Sequence, residues 1–220
     1  MLHRLSLQFK EELDLRADHG TKFIVVHHSE VSTPHTVKDI HQWHLKHGWA
    51  GIGYHYFISK KGEIYEGRPY DTVGAHARGY NKESVGVCFE GDFNKETMND
   101  KQLEASVMLL SLLSLAYDDA SICEHRQLVE EKTCPGKNFP FDCLMQKVNA
   151  CKISLKALFG EPQSEDFLVD EDWRHFHDGF GDEEEERRRH NAPNLTHYGN
   201  FNYRSILDLF SEISEEFSWH

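Results

Sequence analysis

No window of the 220 residues approaches the ~18–20 apolar positions that a membrane-spanning helix needs. The opening stretch, MLHRLSLQFKEELDLR, interrupts its apolar residues with Gln8, Lys10, Glu11 and Glu12, so the continuous apolar core of a secretory signal is missing. Basic charge is scarce: 24 Lys and Arg stand against 37 Asp and Glu, a net −13. General nucleic-acid binding asks for a basic face and is excluded. Cysteine is sparse and odd in number, five residues at positions 88, 123, 134, 143 and 151. That count, without regular spacing, argues against a disulfide framework and for a reducing compartment. The expectation is a protein made soluble in the cytoplasm. No internal repeat is visible.

What is present suffices for one packed domain. The hydrophobic fraction is 39% and the aromatic fraction 12%. The acidity is concentrated at one end: residues 161–220 hold 16 Asp/Glu and 5 Lys/Arg, net −11, while residues 1–160 hold 21 and 19, net −2. We therefore expect a nearly neutral body over 1–160 and an acidic extension over 161–220. Within the extension, Glu183–Glu186 is followed by Arg187–Arg189, a solvated charge block. The segment SILDLFSEISEEF (205–217) has helical apolar spacing and suits a helix that docks on the body or on a protein partner.

Along the body, FIVVHHS reads as a short buried strand. Val37, Ile40, Trp43, His44 and Leu45 follow helical spacing up to a stop at Gly48. GIGYHYFISKKGEIYEG reads as a hairpin turning at Lys60-Lys61-Gly62. RPYDTVGAHARGYNKES is loop-like, and SVGVCFEG is an apolar run suited to a strand buried on both faces. Asn99-Asp100 starts an amphipathic helix through Leu103, Val107, Leu110 and Leu113. Ser121-Ile122-Cys123 is a short strand feeding a loop at His125, and a last helix runs from Pro140 to Phe159. The order β-α-β-β-β-α-β-α predicts an α/β fold, a mixed sheet flanked by helices.

The chemistry concentrates in ASICEHRQLVEEKTCPG, residues 120–136, which holds His125, Lys132 and Cys134 and closes on Pro135-Gly136. One further His would complete three protein ligands for zinc, the number that leaves a catalytic zinc an open position. His27 and His28 end the first buried strand and face opposite sides of it, and alternation alone does not choose between them. The competing chemistry is a Cys134 nucleophile with His125 as base, which leaves the strand-end His without a role. His44 and His55 read as packing or hydrogen-bonding residues, Trp43 and Trp49 as core and cleft wall, and Cys88, Cys123, Cys143 and Cys151 as small buried apolar residues.

Five segments, VHHS, QWHLKHGWAGIGYHYFI, EGRP, VGAHARGYNKESVGVCFEG and KTCPG, occur in consistent order between about residues 8 and 150. Together they resemble the zinc-dependent N-acetylmuramoyl-L-alanine amidases, the type shared by short phage endolysins and peptidoglycan recognition proteins. The resemblance implies a mixed sheet with helices on both sides and a zinc ion held by His27, His125 and Cys134. It further implies catalytic roles for Tyr54 and Lys132, and a substrate groove that includes His76 and Asn81. The spacing from His125 to Cys134 is one residue longer than the family pattern, the extra residue falling in QLVEE. The expected partner is bacterial peptidoglycan, met after a wait in the host cytoplasm until lysis. The alternative is a module that binds peptidoglycan without cutting it, which recognition proteins lacking the ligand Cys exemplify.

Overall fold

Two six-residue strands, Phe23–His28 (β2) and Ser84–Phe89 (β5), lie parallel and adjacent in the middle of a six-stranded sheet. The computed structural model describes residues 2–16, 20–117 and 120–159. Around the central pair run β1 (Leu2–Arg4), β3 (Tyr56–Ile58), β4 (Ile64–Glu66) and β6 (Ser121–Glu124), in the order β1-β4-β3-β5-β2-β6. β2, β3, β5 and β6 are mutually parallel where they pair, β4 is antiparallel to β3, and β1 runs parallel to β4. The helices are α1 (Val37–Lys46), α2 (Asp100–Ala116), the one-turn α3 (His125–Leu128) and α4 (Phe141–Phe159). This is the mixed, helix-flanked sheet that the order of apolar runs predicted. The acidic extension and its 205–217 segment lie outside the described residues.

Strand alternation divides the core into two unlike layers. Ile24 and Val26 of β2, Val85, Val87 and Phe89 of β5, and Tyr56 and Ile58 of β3 point to one face, where Leu109, Leu110 and Leu113 of α2 and Leu144 and Val148 of α4 cover them. The other face carries Phe57 and Cys88 against Val37 and Ile40 of α1. The α2 cap matches its sequence signal, and the structure adds one at α1. Thr36 and Asp39 form a reciprocal capping box at α1, and Asn99 Oδ1 accepts from the Gln102 N–H at α2. Gln102, buried, donates its amide to the carbonyls of Ile58 and Glu90, which ties α2 to the ends of β3 and β5.

The N-terminal segment is more than the polar lead-in that its charges suggest. Leu2–Arg4 adds the edge strand β1, and Leu5, Leu7 and Phe9 then pack on the α1 layer. Farther on, Arg16 enters the interior, donating to the carbonyls of Tyr70 and Ser84 and to the Tyr117 hydroxyl. Among the described residues it forms no ion pair. Three further expectations are corrected. Tyr54 precedes β3 rather than lying in it, His125 opens a helical turn rather than a loop, and Cys143 is exposed rather than buried. The amphipathic face of α4 simply turns Cys143 outward.

Leu110 is fully buried between the sheet and α4. Leu110→Ala should lower the unfolding free energy by about 2–5 kcal/mol, read as a reduced urea midpoint at unchanged slope. A loss below about 1 kcal/mol would show that α2 does not seal this layer.

Candidate active site

Parallel pairing of β2 with β6 brings the first two candidate ligands together. Val26 is in register with Glu124, so His27 and His125 are the next residue along each strand, and their ring centroids lie 4.5 Å apart. Cys134 approaches from the following loop, its Sγ 3.6 Å from His27 Nδ1. One donor atom from each of His27, His125 and Cys134 can be chosen so that all lie within 4.8 Å of one another. His28 points to the opposite face, where its Nδ1 accepts from the Phe93 N–H and its ring stacks on Phe93. Sheet alternation, undecidable from the string HH alone, is settled by these neighbours.

The loop that carries Cys134 is clamped. Arg126 pairs with Glu124 at 2.6 Å, its backbone N–H donates to the Cys134 carbonyl, and its guanidinium donates to the Gly136 carbonyl. Gly136 has φ 105°, and a Cβ there would stand 2.6 Å from the Phe93 carbonyl carbon. Glycine is therefore required for the loop to press against Phe93. The His28 N–H points at Cys134 Sγ from 3.5 Å. Arg126 has no distinguishing mark in the sequence, and its role emerges only from the fold.

The electrostatics favour neutral imidazoles. Burial pushes His27 well down, and the nearby His76 and His125 act the same way. Burial, then the charge of Lys132, pushes His125 down to about 4. Burial pushes the Cys134 thiol up to about 12, with Glu30 and Glu124 adding to it. A thiol held that high is a poor nucleophile by itself, which weighs against the Cys134–His125 catalytic pair. A divalent cation at the cluster is the interaction that would reverse the shift. The Cys134–His27 spacing fits such an ion: zinc bonds of ~2.0–2.1 Å to nitrogen and ~2.3 Å to sulfur at a tetrahedral angle place the two atoms ~3.6 Å apart.

The cluster opens on a cavity of about 530 Å3 whose walls include Trp49, Tyr54, His76, Arg78, Asn81 and Lys132. The Tyr54 ring lies 5.1 Å from that of His27, and burial keeps its phenol protonated, well above its ordinary value. Its backbone is pinned: the Arg68 N–H donates to the Tyr54 carbonyl, and the Arg68 guanidinium donates to Ile52 and Val73 carbonyls. This gives the EGRP segment a structural job. Lys132 is exposed at the mouth, and Trp49 is 47% exposed, its ring tilted at 52° to that of His44 with centroids 4.6 Å apart. Asn81 Oδ1 accepts from the N–H groups of His76 and Ala77, so the amide oxygen shapes the wall rather than facing the groove. The ring of His76 bonds inward, Nδ1 to His27 Nε2 at 3.0 Å.

A family model described as N-acetylmuramoyl-L-alanine amidase matches residues 17–137. The endolysin of Klebsiella phage KP32 is 37% identical over 105 residues, covering 46% of this chain and 69% of that protein. The endolysin of Escherichia phage T7 is 34% identical over 137 residues, covering 59% and 86%. Among solved structures, N-acetylmuramoyl-L-alanine amidase LysC from Clostridium intestinale superposes with a TM-score of 0.63 at 33% identity, over 68% of this chain and 97% of that one.

Stability should follow the buried imidazoles. His44 is pushed down to about 4 and His55 well below 6.5, burial leading in both. Each is neutral when folded and takes up a proton near pH 6.5 when unfolded, so the unfolded chain binds more protons below that pH. This contribution is present above pH 6.5 and is lost as pH falls toward 4. The urea midpoint of the metal-free protein should drop through that window. A flat profile there would contradict the burial of neutral rings.

Proposed function

The chain belongs to the N-acetylmuramoyl-L-alanine amidase family, and on that premise we propose that it cuts the amide bond between N-acetylmuramic acid and L-alanine in bacterial peptidoglycan, as a zinc-dependent phage endolysin. The observation that carries this reading is the trio His27, His125 and Cys134, whose donor atoms converge at the floor of an open cavity. Two neutral imidazoles and a thiol suit zinc, and three protein donors match a catalytic rather than an enclosed structural centre. When bound, the ion supplies a Lewis acid at the scissile carbonyl and lowers the pKa of water to about 7.

The remaining roles fall to side chains of the cavity. Lys132, exposed at its mouth, brings a positive charge to the oxyanion that develops as the amide is attacked. Tyr54 keeps its proton and so serves as a hydrogen-bond donor to the reacting oxygen, and as the near end of a water relay to the departing amine. Trp49 offers an apolar wall, and His76 and Asn81 belong to the groove that receives the stem peptide. A binding-only role is disfavoured by the presence of Cys134 together with Tyr54 and Lys132.

We take residues 1–160 as the catalytic domain and 161–220 as an accessory extension that binds a protein partner or regulates the enzyme. Among the described residues no helix is long and apolar enough to cross a membrane. Residence in the host cytoplasm until lysis, then action on the wall, is the cellular setting that fits an endolysin.

Mass spectrometry of digested peptidoglycan should show free N-terminal L-alanine on released peptides and intact glycan strands. New reducing ends would instead mean a glycosidase and would overturn the reading. Lys132→Ala should reduce kcat by ~100- to 1,000-fold, the usual effect of removing one oxyanion-stabilising donor. A chelator should abolish lysis and added zinc restore it. A chain ending at Gly160 should keep zinc-dependent lysis, and its inactivity would assign the extension to the catalytic unit.

A further inference from the structure

We infer that His76 is a positioning residue that fixes the tautomer of His27, holding the proton on Nε2 so that bare Nδ1 faces Cys134. The inference rests on the metal-site reading above and gives His76 a role distinct from touching substrate.

The hydrogen bonds settle the proton positions from the far end. The Tyr80 carbonyl can only accept, and Ser84 Oγ lies 2.7 Å from it, so the Ser84 hydroxyl donates there. Its oxygen then has only lone pairs left for His76 Nε2 at 3.5 Å, which makes that nitrogen the protonated one. A neutral ring protonated at Nε2 has a bare Nδ1. That atom accepts from His27 Nε2 at 3.0 Å. His27, neutral and protonated at Nε2, keeps Nδ1 bare, 3.6 Å from Cys134 Sγ. Reversing any one link leaves two donors or two acceptors face to face.

The ring that transmits this order is tightly seated. A Cβ at Gly74 would stand 2.5 Å from His76 Cδ2, and one at Gly86 would stand 2.6 Å from His76 Cδ2 and Cγ. Two glycines thus make the slot that the imidazole fills. His55, edge-on to His76 at 5.6 Å, offers it no alternative partner. Its Nδ1 accepts from the Gly86 N–H, and its Nε2 donates to the Thr72 carbonyl. The Arg16 guanidinium 3.4 Å from His55 Nε2 is then a contact between two donors and not a hydrogen bond. Metal-bound histidines commonly give their second N–H to an acceptor that sets ring orientation, and losing that acceptor costs 10- to 100-fold in metal affinity. Here the acceptor is another imidazole.

Two readouts test the assignment without substrate. In the metal-free protein, a long-range 1H–15N spectrum of the histidine rings should show His27 as the Nε2–H tautomer. An Nδ1–H tautomer would overturn the proposal. Zinc affinity, measured by competition with a chromophoric chelator, should fall 10- to 100-fold in His76→Ala. His76→Asn, whose Oδ1 can stand in for Nδ1, should recover most of the loss. Equal affinity in wild type and His76→Ala, or no recovery in a folded His76→Asn, would also overturn it. If His76→Ala does not fold, Ser84→Ala provides the comparison: it should let His27 populate both tautomers, and an unchanged ring spectrum would count against the chain. A protein that binds zinc in this His76-dependent way yet leaves peptidoglycan uncut would refute the amidase reading alone.

Discussion

The parallel register of β2 against β6 is the constraint on which the rest of the site depends. With Val26 opposite Glu124, the two strands deliver His27 and His125 side by side as they end. Ladder hydrogen bonds between β2 and the edge strand β6 set this juxtaposition. Only the third donor needs a loop, and that loop is held by the Arg126 clamp and by the close approach of Gly136 to Phe93. Parallel pairing also puts the carboxyl ends of β2 and β6 at the same end of the sheet, where a crevice can form beyond them.

Much of this architecture is legible in the amino-acid string because its signals are local. FIVVHH and SVGVCF are apolar runs without alternation, as strands buried on both faces must be. Asn99 before a leucine-rich stretch marks a helix start that the structure keeps. The family motifs point to the same segments. What stays hidden is non-local. β1 exists only because Leu2–Arg4 finds β4, some sixty positions away in the chain. The choice between His27 and His28 depends on which layer each meets, and no periodicity within two residues contains that. The bond from His76 to His27 likewise joins a loop to a strand end and has no signature in either segment.

The two faces of the sheet are built from different materials. One is a dry layer of Leu, Val, Ile and Phe from α2, α4 and the strands, and it contributes most of the buried apolar area. The other carries His41, His44, His55 and His76 among aromatic and small residues; both ring nitrogens of His41, His55 and His76 are engaged, and His44 Nδ1 accepts from the Gly53 N–H. His41 illustrates the economy of this layer: its Nδ1 accepts from the Ile52 N–H, leaving Nε2 to donate to the Gln8 carbonyl. Imidazoles act there as two-ended struts between backbone segments. The apolar face holds the domain together while the histidine face fixes loops, and the site lies where the second face reaches the strand ends.

Arg16 adds a permanent positive charge beneath that histidine layer, bonded to two carbonyls and a phenol. Its field opposes proton uptake by His55 and His76, reinforcing what burial already does. An acidifying medium must therefore overcome a built-in electrostatic guard before it can scramble the ring polarity behind the strand ends. The N-terminal segment thereby holds those rings neutral at a thermodynamic cost, deepening the loss of stability that acid brings to the fold.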